Sequence, residues 1–165
     1  SHLNPVVEVV YHGVVFGNHG RMYDKKENLH NDCAEFIIHE IVKNMIINSK
    51  YENITIDESG YNVERAIFKI RDKVFKVIHG DKESQKDKSL IQKHISMENK
   101  LIDVLCMGHF HNFKVSTENF GRTIYQSGCL QGVTDYGKSL KYNNLASQGL
   151  IIIGEDELIP INVEL

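Results

Sequence analysis

The sequence predicts a mixed α/β fold of stacked sheet and helix layers, on three observations. Strand-like and helix-like periodicities follow one another as β-α-β-β-α-β and then mostly β. The run Ile102 to Met107 is almost wholly apolar, as in a strand that is covered on both faces. The 165 residues are 41% hydrophobic and 25% charged, which is ordinary globular composition. No internal repeat or Pro/Gly/Ser linker divides them, so we expect a single domain over residues 1–165.

The N-terminal segment is rich in β-branched residues. Val6 to Val10 and Val14 to Phe16 predict one or two strands that lead into a glycine-rich loop, Gly17 to Gly20. From residue 31 the apolar side chains recur every three or four positions, which predicts a helix over about 31–48 with Asp32 as its cap.

The rest of the chain alternates between the two periods. A weaker apolar stripe predicts a second helix from Asp87 to about Asn99. A short turn at Arg71 to Lys73 predicts a hairpin. The remaining strands are expected over 53–57, 63–70, 73–78, 102–107, 113–117, 122–126, 150–153 and 158–163.

Charge and composition exclude several classes of protein. The formal net charge of -3 provides no global positive field, so a tail-type nucleic-acid binder is excluded and any nucleic-acid contact would be local. The apolar runs are far shorter than the roughly 20 residues that span a bilayer, so no membrane partner is expected. Three cysteines do not make a disulfide framework, which favours the reducing cytoplasm.

The nine histidines are the unusual feature of the composition, and three of them follow predicted strands beside glycine. Strand 14–16 leads to Gly17-Asn18-His19, strand 74–78 to His79-Gly80, and strand 104–107 to Gly108-His109. One histidine at a strand end is typically a half-buried polar residue. Three of them at the carboxyl ends of strands that run the same way would share the edge where open α/β sheets bind ligands.

His109 and His111 form the most specific pair. On an extended segment, residues i and i+2 project to one face about 6.5 Å apart, so two imidazoles could reach metals about 3.5–4 Å apart. Phe110 would then point into the core. Imidazole nitrogens together with an amide oxygen, such as that of Asn18, suit a Mn, Fe or Zn centre.

These residues resemble a known family. Gly17-Asn18-His19, then His79, then Gly108-His109-x-His111 are similar to the third, fourth and fifth motifs of the calcineurin-like metallophosphoesterases, in the family's order. The likeness is to bacteriophage and bacterial members described as DNA-repair exonucleases or phosphoesterases, and it spans about Val6 to Leu150. It implies a mixed β-sandwich flanked by helices, in four αββα layers when complete. It also implies hydrolysis of a phosphoester, as a phosphodiesterase or nuclease, with two divalent ions (Mn, Fe or Zn).

The resemblance assigns roles to individual residues. It implies that Asn18, His79 and His109 ligate one metal and His111 the other, while His19 contacts the phosphate and protonates the leaving oxygen. The position after Gly-Asn-His is commonly acidic in the family but is Gly20 here, followed by Arg21, a candidate to bind phosphate through its planar guanidinium. Asp81 is a candidate to orient an imidazole, with turn formation as an equal alternative.

The sequence departs from the family at its beginning. The motifs Asp-x-His and Gly-Asp-x-x-Asp/Asn would precede Gly17, where only sixteen residues stand and none supplies those groups. We therefore expect the C-terminal portion of a longer enzyme, with weak or partial metal occupancy and little hydrolysis by this chain alone. Uncovered apolar sheet edges and faces predict a homo-oligomer. The alternative function is a non-catalytic scaffold or DNA-processing subunit that retains the fold.

The other histidines named here and one cysteine are given no role in the chemistry. His12, His30 and His39 are expected to be structural or exposed, and His94 to be packed within the second helix. Cys106 lies inside an apolar strand, where a free cysteine behaves as a small hydrophobe, so it is given no chemical role.

Overall fold

The computed structural model describes residues 7–22, 32–133, 135–139 and 145–165. Val6 and residue 31, with which the first predicted strand and helix begin, lie outside the described residues, as does His30. The helices and strands form the expected mixed α/β class, and the chain divides into two compact units, residues 1–68 and 69–165. None of the helices within the described ranges is both long enough and apolar enough to cross a membrane.

The first unit holds one long helix and short strands. In chain order its elements are β1 (Val9–Tyr11), α1 (Ala34–Ile47), β2 (Ile54–Ile56), β3 (Tyr61–Asn62) and β4 (Arg65–Ile70), the last of which crosses the boundary between the units. β1 and β2 pair in parallel, and β3 and β4 pair antiparallel.

The strand predicted over Val14 to Phe16 does not form, so that prediction is wrong. The segment bonds to the region around β3 instead: the Phe16 amide donates to the Val63 carbonyl at 2.7 Å, and the Tyr61 hydroxyl donates to the Val14 carbonyl at 3.0 Å. These isolated bonds satisfy polar groups of the backbone without a continuous ladder, which is why an apolar, β-branched run is not a strand here.

Helix α1 begins at Ala34, and the prediction that Asp32 caps it is wrong. The N-cap is Cys33, whose side chain makes no capping hydrogen bond. Cys33 is fully buried against Phe16 and Val63, and this burial raises the pKa of its thiol. The start of the helix is therefore set by an apolar anchor, while Asp32 lies exposed one residue earlier.

The second unit is built on a mixed sheet. After the turn at Arg71 and Asp72, its strands and helices are β5 (Lys73–Ile78), α2 (Leu90–Glu98), β6 (Val104–Met107), β7 (Lys114–Thr117), β8 (Thr123–Gln126), α3 (Asp135–Ser139), β9 (Ser147–Ile153) and β10 (Leu158–Glu164). Within this unit the strand order is β5-β6-β8-β7, with β5, β6 and β8 parallel and β7 antiparallel to β8. β9 and β10 pair antiparallel as a hairpin, and they contain the two strands expected over 150–153 and 158–163.

The core of this unit lies between α2 and the sheet, and it consists of Leu90, Ile91, Ile102, Leu105, Met107 and Ile124. Phe110 packs against it, as predicted. Helix α2 begins at Leu90 rather than at Asp87, because the Glu118 carboxylate accepts the amides of Leu90 at 2.8 Å and Ile91 at 3.2 Å. A residue far along the chain thus supplies the cap, and it satisfies two otherwise orphaned donors of the first turn.

Candidate metal centre

Strands β5 and β6 end side by side. Ile78 pairs with Met107 at the last position of the register, and the Gly108 amide donates to the His79 carbonyl at 3.0 Å. His79, directly after Ile78, and His109, two residues after Met107, therefore emerge at the same carboxyl edge of two parallel strands. Such an edge is where open α/β sheets place ligand sites.

The two imidazoles meet at this edge. His109 Nδ1 lies 3.3 Å from His79 Nε2, and both residues are half-buried. Two nitrogens that each lie about 2.0–2.1 Å from one tetrahedral ion are themselves about 3.3 Å apart. The spacing and the chemistry of these two donors therefore fit two ligands of one Zn-like or Mn-like ion.

The backbone turns sharply around both histidines. Gly80 has φ +102°, and a Cβ there would lie 3.2 Å from the Met107 Cβ. His109 has φ 65° and His111 has φ 58°, values that non-glycine residues adopt infrequently. The expectation that His109 and His111 share one face of an extended segment is therefore wrong, because β6 already ends at Met107.

His111 is exposed at the bend that follows. Asp81 follows His79 by two positions in the chain and is half-buried. The structure thus brings His79 and His109 into contact, while the roles expected for His111 and Asp81 stay predictions.

The loop with Asn18, His19 and Arg21 belongs to the first unit. The Arg21 Nε–H donates to the Asn18 carbonyl at 3.1 Å, and the Ala34 amide donates to the Gly20 carbonyl at 2.8 Å, which ties the loop to the start of α1. His19 is exposed and Asn18 is half-buried. The roles of these residues in metal and phosphate binding stay predictions.

Glu35 is a neighbour of this loop that the sequence pattern did not single out. Its carboxylate lies in the space that a side chain at Gly20 would occupy, and one of its oxygens is buried without a hydrogen-bond partner among the described residues. The glycine at position 20 therefore makes room for a carboxylate from α1. Only the fold reveals this proximity, because the two residues lie fifteen positions apart in the sequence.

A second group of potential ligands surrounds His39 in the first unit. His39 is buried; the Tyr11 hydroxyl lies 2.9 Å from its Nδ1, and its Nε2 lies 3.0 Å from Glu58 Oε1. The ligand atoms of His39, Glu40 and Glu58 lie within 4.8 Å of one another, a spacing that could hold a metal ion. The Lys43 ammonium already lies 2.8 Å from Glu58 Oε2, and it holds the pKa of Glu58 below its ordinary range, with a smaller effect of His39.

Of the two expectations for His39, structural or exposed, the first holds, because His39 is buried and hydrogen-bonded. A metal at this group would have to displace Lys43 from Glu58. The His79 and His109 pair brings two imidazole nitrogens together at the sheet edge where the sequence predicts a metal site, so we take it as the candidate centre.

Comparisons with known proteins complete the description. No family model and no curated protein matches the chain. Among solved structures, it is similar to Vps29 from Entamoeba histolytica complexed with zinc, with a TM-score of 0.47 and 16% identity over 76% of this chain and 75% of that chain. It is also similar to an archaeal phosphodiesterase, with a TM-score of 0.47 and 20% identity over 81% of this chain and 64% of that chain.

A protein of Streptococcus pneumoniae TIGR4 that is described as a predicted phosphoesterase gives a TM-score of 0.46 and 14% identity over 71% of this chain and 66% of that chain. At these TM-scores and identities the likeness assigns no activity to this chain.

Proposed function

We propose that this chain carries part of a metal-dependent phosphoester hydrolase centre, of a phosphodiesterase or nuclease type, in which His79 and His109 bind one divalent ion. The observation that supports this most directly is the 3.3 Å separation of His79 Nε2 and His109 Nδ1 at the carboxyl edge of β5 and β6. Hydrolysis of a phosphoester is the reaction that the resemblance of the histidine motifs implies.

The donor set determines how an ion would be held. His79 and His109 would bind it through neutral imidazole nitrogens. The resemblance to the family further implies Asn18 as a donor to the same ion and His111 as a ligand of a second ion. A bound divalent ion would polarise the phosphoryl oxygen and lower the pKa of a water molecule. Since these donors carry no charge to neutralise the ion, we expect weak or partial occupancy.

The remaining residues would act on the substrate. His19 would donate a proton to the leaving oxygen, as a positioned imidazole does in general acid catalysis. The Arg21 guanidinium would donate paired hydrogen bonds to phosphate oxygens. Asp81 would orient an imidazole by accepting its second N–H, which fixes the tautomer that can ligate.

Metal binding gives the first test. Zn²⁺ and Mn²⁺ are titrated calorimetrically into the wild-type chain and into His79→Ala, His109→Ala and the control His12→Ala. The control removes an imidazole of the first unit that stacks on Phe68. We expect each of the first two substitutions to weaken binding by more than about tenfold, since even residues that only orient ligands have effects of that size.

Hydrolysis gives the second test, measured on the longer enzyme of which this chain is expected to form the C-terminal portion. The substrates are an aryl phosphodiester, an aryl phosphomonoester and single-stranded DNA, in the presence of Mn²⁺, Fe²⁺ or Zn²⁺. Cleavage by that enzyme must require the metal and disappear in His109→Ala, whereas this chain alone should show little hydrolysis. If no metal supports cleavage of any of these substrates by the longer enzyme, the alternative of a non-catalytic scaffold or DNA-processing subunit replaces the proposal.

A further inference from the structure

The second unit contains a cavity of about 670 Å³ that the proposed hydrolase centre does not use. It lies between residues 84–88 and the sheet, and its apolar part is formed by Leu90, Met107 and Ile124. Sites for small organic ligands occupy about 300–1,000 Å³ and combine an apolar lining with a few polar groups. The cavity is therefore large enough for an organic ligand, and neither His79 nor His109 lines it.

Lysines dominate the charge of this cavity. Lys86, Lys88 and Lys114 line it, and none of them forms an ion pair within the described parts of the chain. Two carboxylates, those of Asp87 and Glu118, also line it.

Both carboxylates already accept hydrogen bonds from other groups, and that of Asp87 is paired with a cation. Glu118 accepts the first two amides of α2, at 2.8 Å and 3.2 Å. Asp87 accepts hydrogen bonds from the Lys93 ammonium at 2.5 Å and the Ser89 amide at 2.9 Å, which lower its pKa to about 2. The three lysine charges therefore exceed the one unpaired carboxylate charge, that of Glu118, and their flexible ammonium groups suit a phosphate.

The polar wall adds groups that can recognise a heterocycle. Gln126 is buried and fixed, because its amide nitrogen donates to the Asn112 carbonyl at 2.7 Å and its oxygen accepts from Gln85 Nε2 at 3.0 Å. The amides of Gln85 and Asn119 each offer donors and an acceptor at the wall, and the Ser116 hydroxyl does the same. Such groups match the edge of a nucleobase, whose faces would contact the apolar part of the cavity.

We propose that this cavity binds a nucleoside monophosphate, with the base against Leu90, Met107 and Ile124 and the phosphate among Lys86, Lys88 and Lys114. Inorganic phosphate would contact the lysines without contacting the apolar lining. An uncharged nucleoside would cover the apolar part but leave the lysines without an anion. The ligand that satisfies both has a base and a phosphate in one molecule.

Binding is measured calorimetrically at low salt with adenosine monophosphate, adenosine and inorganic phosphate, in excess EDTA so that no metal centre contributes. We expect adenosine monophosphate to bind at least about tenfold more tightly than either of its parts. The variant Lys86→Gln/Lys114→Gln should weaken its binding by about tenfold or more, because two charge-assisted contacts are lost. The matched control Lys100→Gln removes an exposed lysine outside the cavity and should leave binding unchanged.

The proposal is overturned if adenosine monophosphate binds no more tightly than inorganic phosphate, or if the double lysine variant binds it as the wild type does. The substituted lysines are exposed, and circular dichroism of both variants verifies that they are folded. Because EDTA is present, the result does not depend on whether His79 and His109 bind a metal.

Discussion

The Lys76 ammonium on β5 donates to Glu98 Oε1 on α2 at 2.7 Å, and the lysine side chain is only 3% exposed. It also donates to His94 Nδ1 at 2.9 Å. A charge buried to this degree is tolerated only when it is paired, because its removal from water is costly. The pair joins α2 to β5 three positions before His79, so it supports the strand that leads into the candidate centre.

Removing the carboxylate of this pair should destabilise the protein more than removing the ammonium. We expect Glu98→Gln to lower the free energy of unfolding by about 3 kcal/mol, because it leaves a buried, uncompensated ammonium. Lys76→Met should cost less, since the methionine fills a similar volume and Glu98 is the more exposed partner at 16%.

Urea denaturation of both variants and of the double variant measures the difference. The exposed ion pair of Lys73 and Asp72 provides a control, since Lys73→Met should change stability by less than about 1 kcal/mol. Equal losses for Glu98→Gln and Lys76→Met would contradict the argument.

His94 should make stability depend on pH in weakly acidic solution. Burial, and then the Lys76 ammonium, lower its pKa to about 4, against the partial compensation of Glu98. The unfolded chain therefore binds more protons than the folded chain between about pH 6.5 and pH 4, and stability is lost as the pH falls through that window. The difference in pKa corresponds to at most about 3 kcal/mol.

The neighbouring Glu83 acts in the opposite direction. Its Oε1 lies 3.3 Å from His94 Nε2, and burial raises its pKa, so its contribution to stability falls as the pH rises. The contribution of His94 is therefore measured as the difference between the wild type and His94→Gln in urea denaturation from pH 4 to pH 7. An unchanged slope against pH in the variant would contradict the prediction.

The sequence predicts best where a single local pattern determines the structure. The strand over 73–78 is found at the predicted residues, and the apolar run from Ile102 contains β6, because full burial requires a continuous apolar strand. The packed position of His94 in the second helix is likewise confirmed.

The predictions fail where distant residues decide the outcome. Helix α2 starts three residues later than expected because Glu118 caps it, and the capping prediction for Asp32 fails because the burial of Cys33 fixes the start of α1. β3 has only two residues, which is too short a segment for a hydrophobic periodicity to predict it. In the candidate centre, the sequence correctly predicts that His79 and His109 lie at one edge of the sheet. It does not predict the left-handed backbone conformation of His109, because neither composition nor spacing indicates it.

An apolar stripe on α1 should cause copies of the chain to associate. Ile37, Ile41 and Met45 recur every four residues on one side of the helix and are 49%, 54% and 68% exposed. Contiguous apolar surface of this kind tends to be covered by another molecule. We expect light scattering to show a concentration-dependent oligomer that Ile41→Glu/Met45→Glu converts to monomer.

The matched control for that experiment is Met97→Glu, which changes an exposed methionine of α2 outside the stripe. It should leave the oligomer intact. A wild-type chain that stays monomeric at high concentration would contradict the prediction, and so would an oligomer that both variants disrupt equally.

Gly80 should be required for the approach of His79 to His109. Its φ of +102° is strained for any side chain, and an added Cβ would lie 3.2 Å from the Met107 Cβ, an atom fixed by the adjacent strand. We expect Gly80→Ala to lower the free energy of unfolding by about 1–3 kcal/mol and to weaken metal binding as His79 moves. Gly121→Ala is the matched control, because Gly121 also has a positive φ of +69° but no neighbour within 4 Å of its would-be Cβ. The Gly121→Ala variant should lower stability without changing the affinity for metal. If the Gly80→Ala variant binds Zn²⁺ as tightly as the wild type does, the backbone at this turn does not position His79.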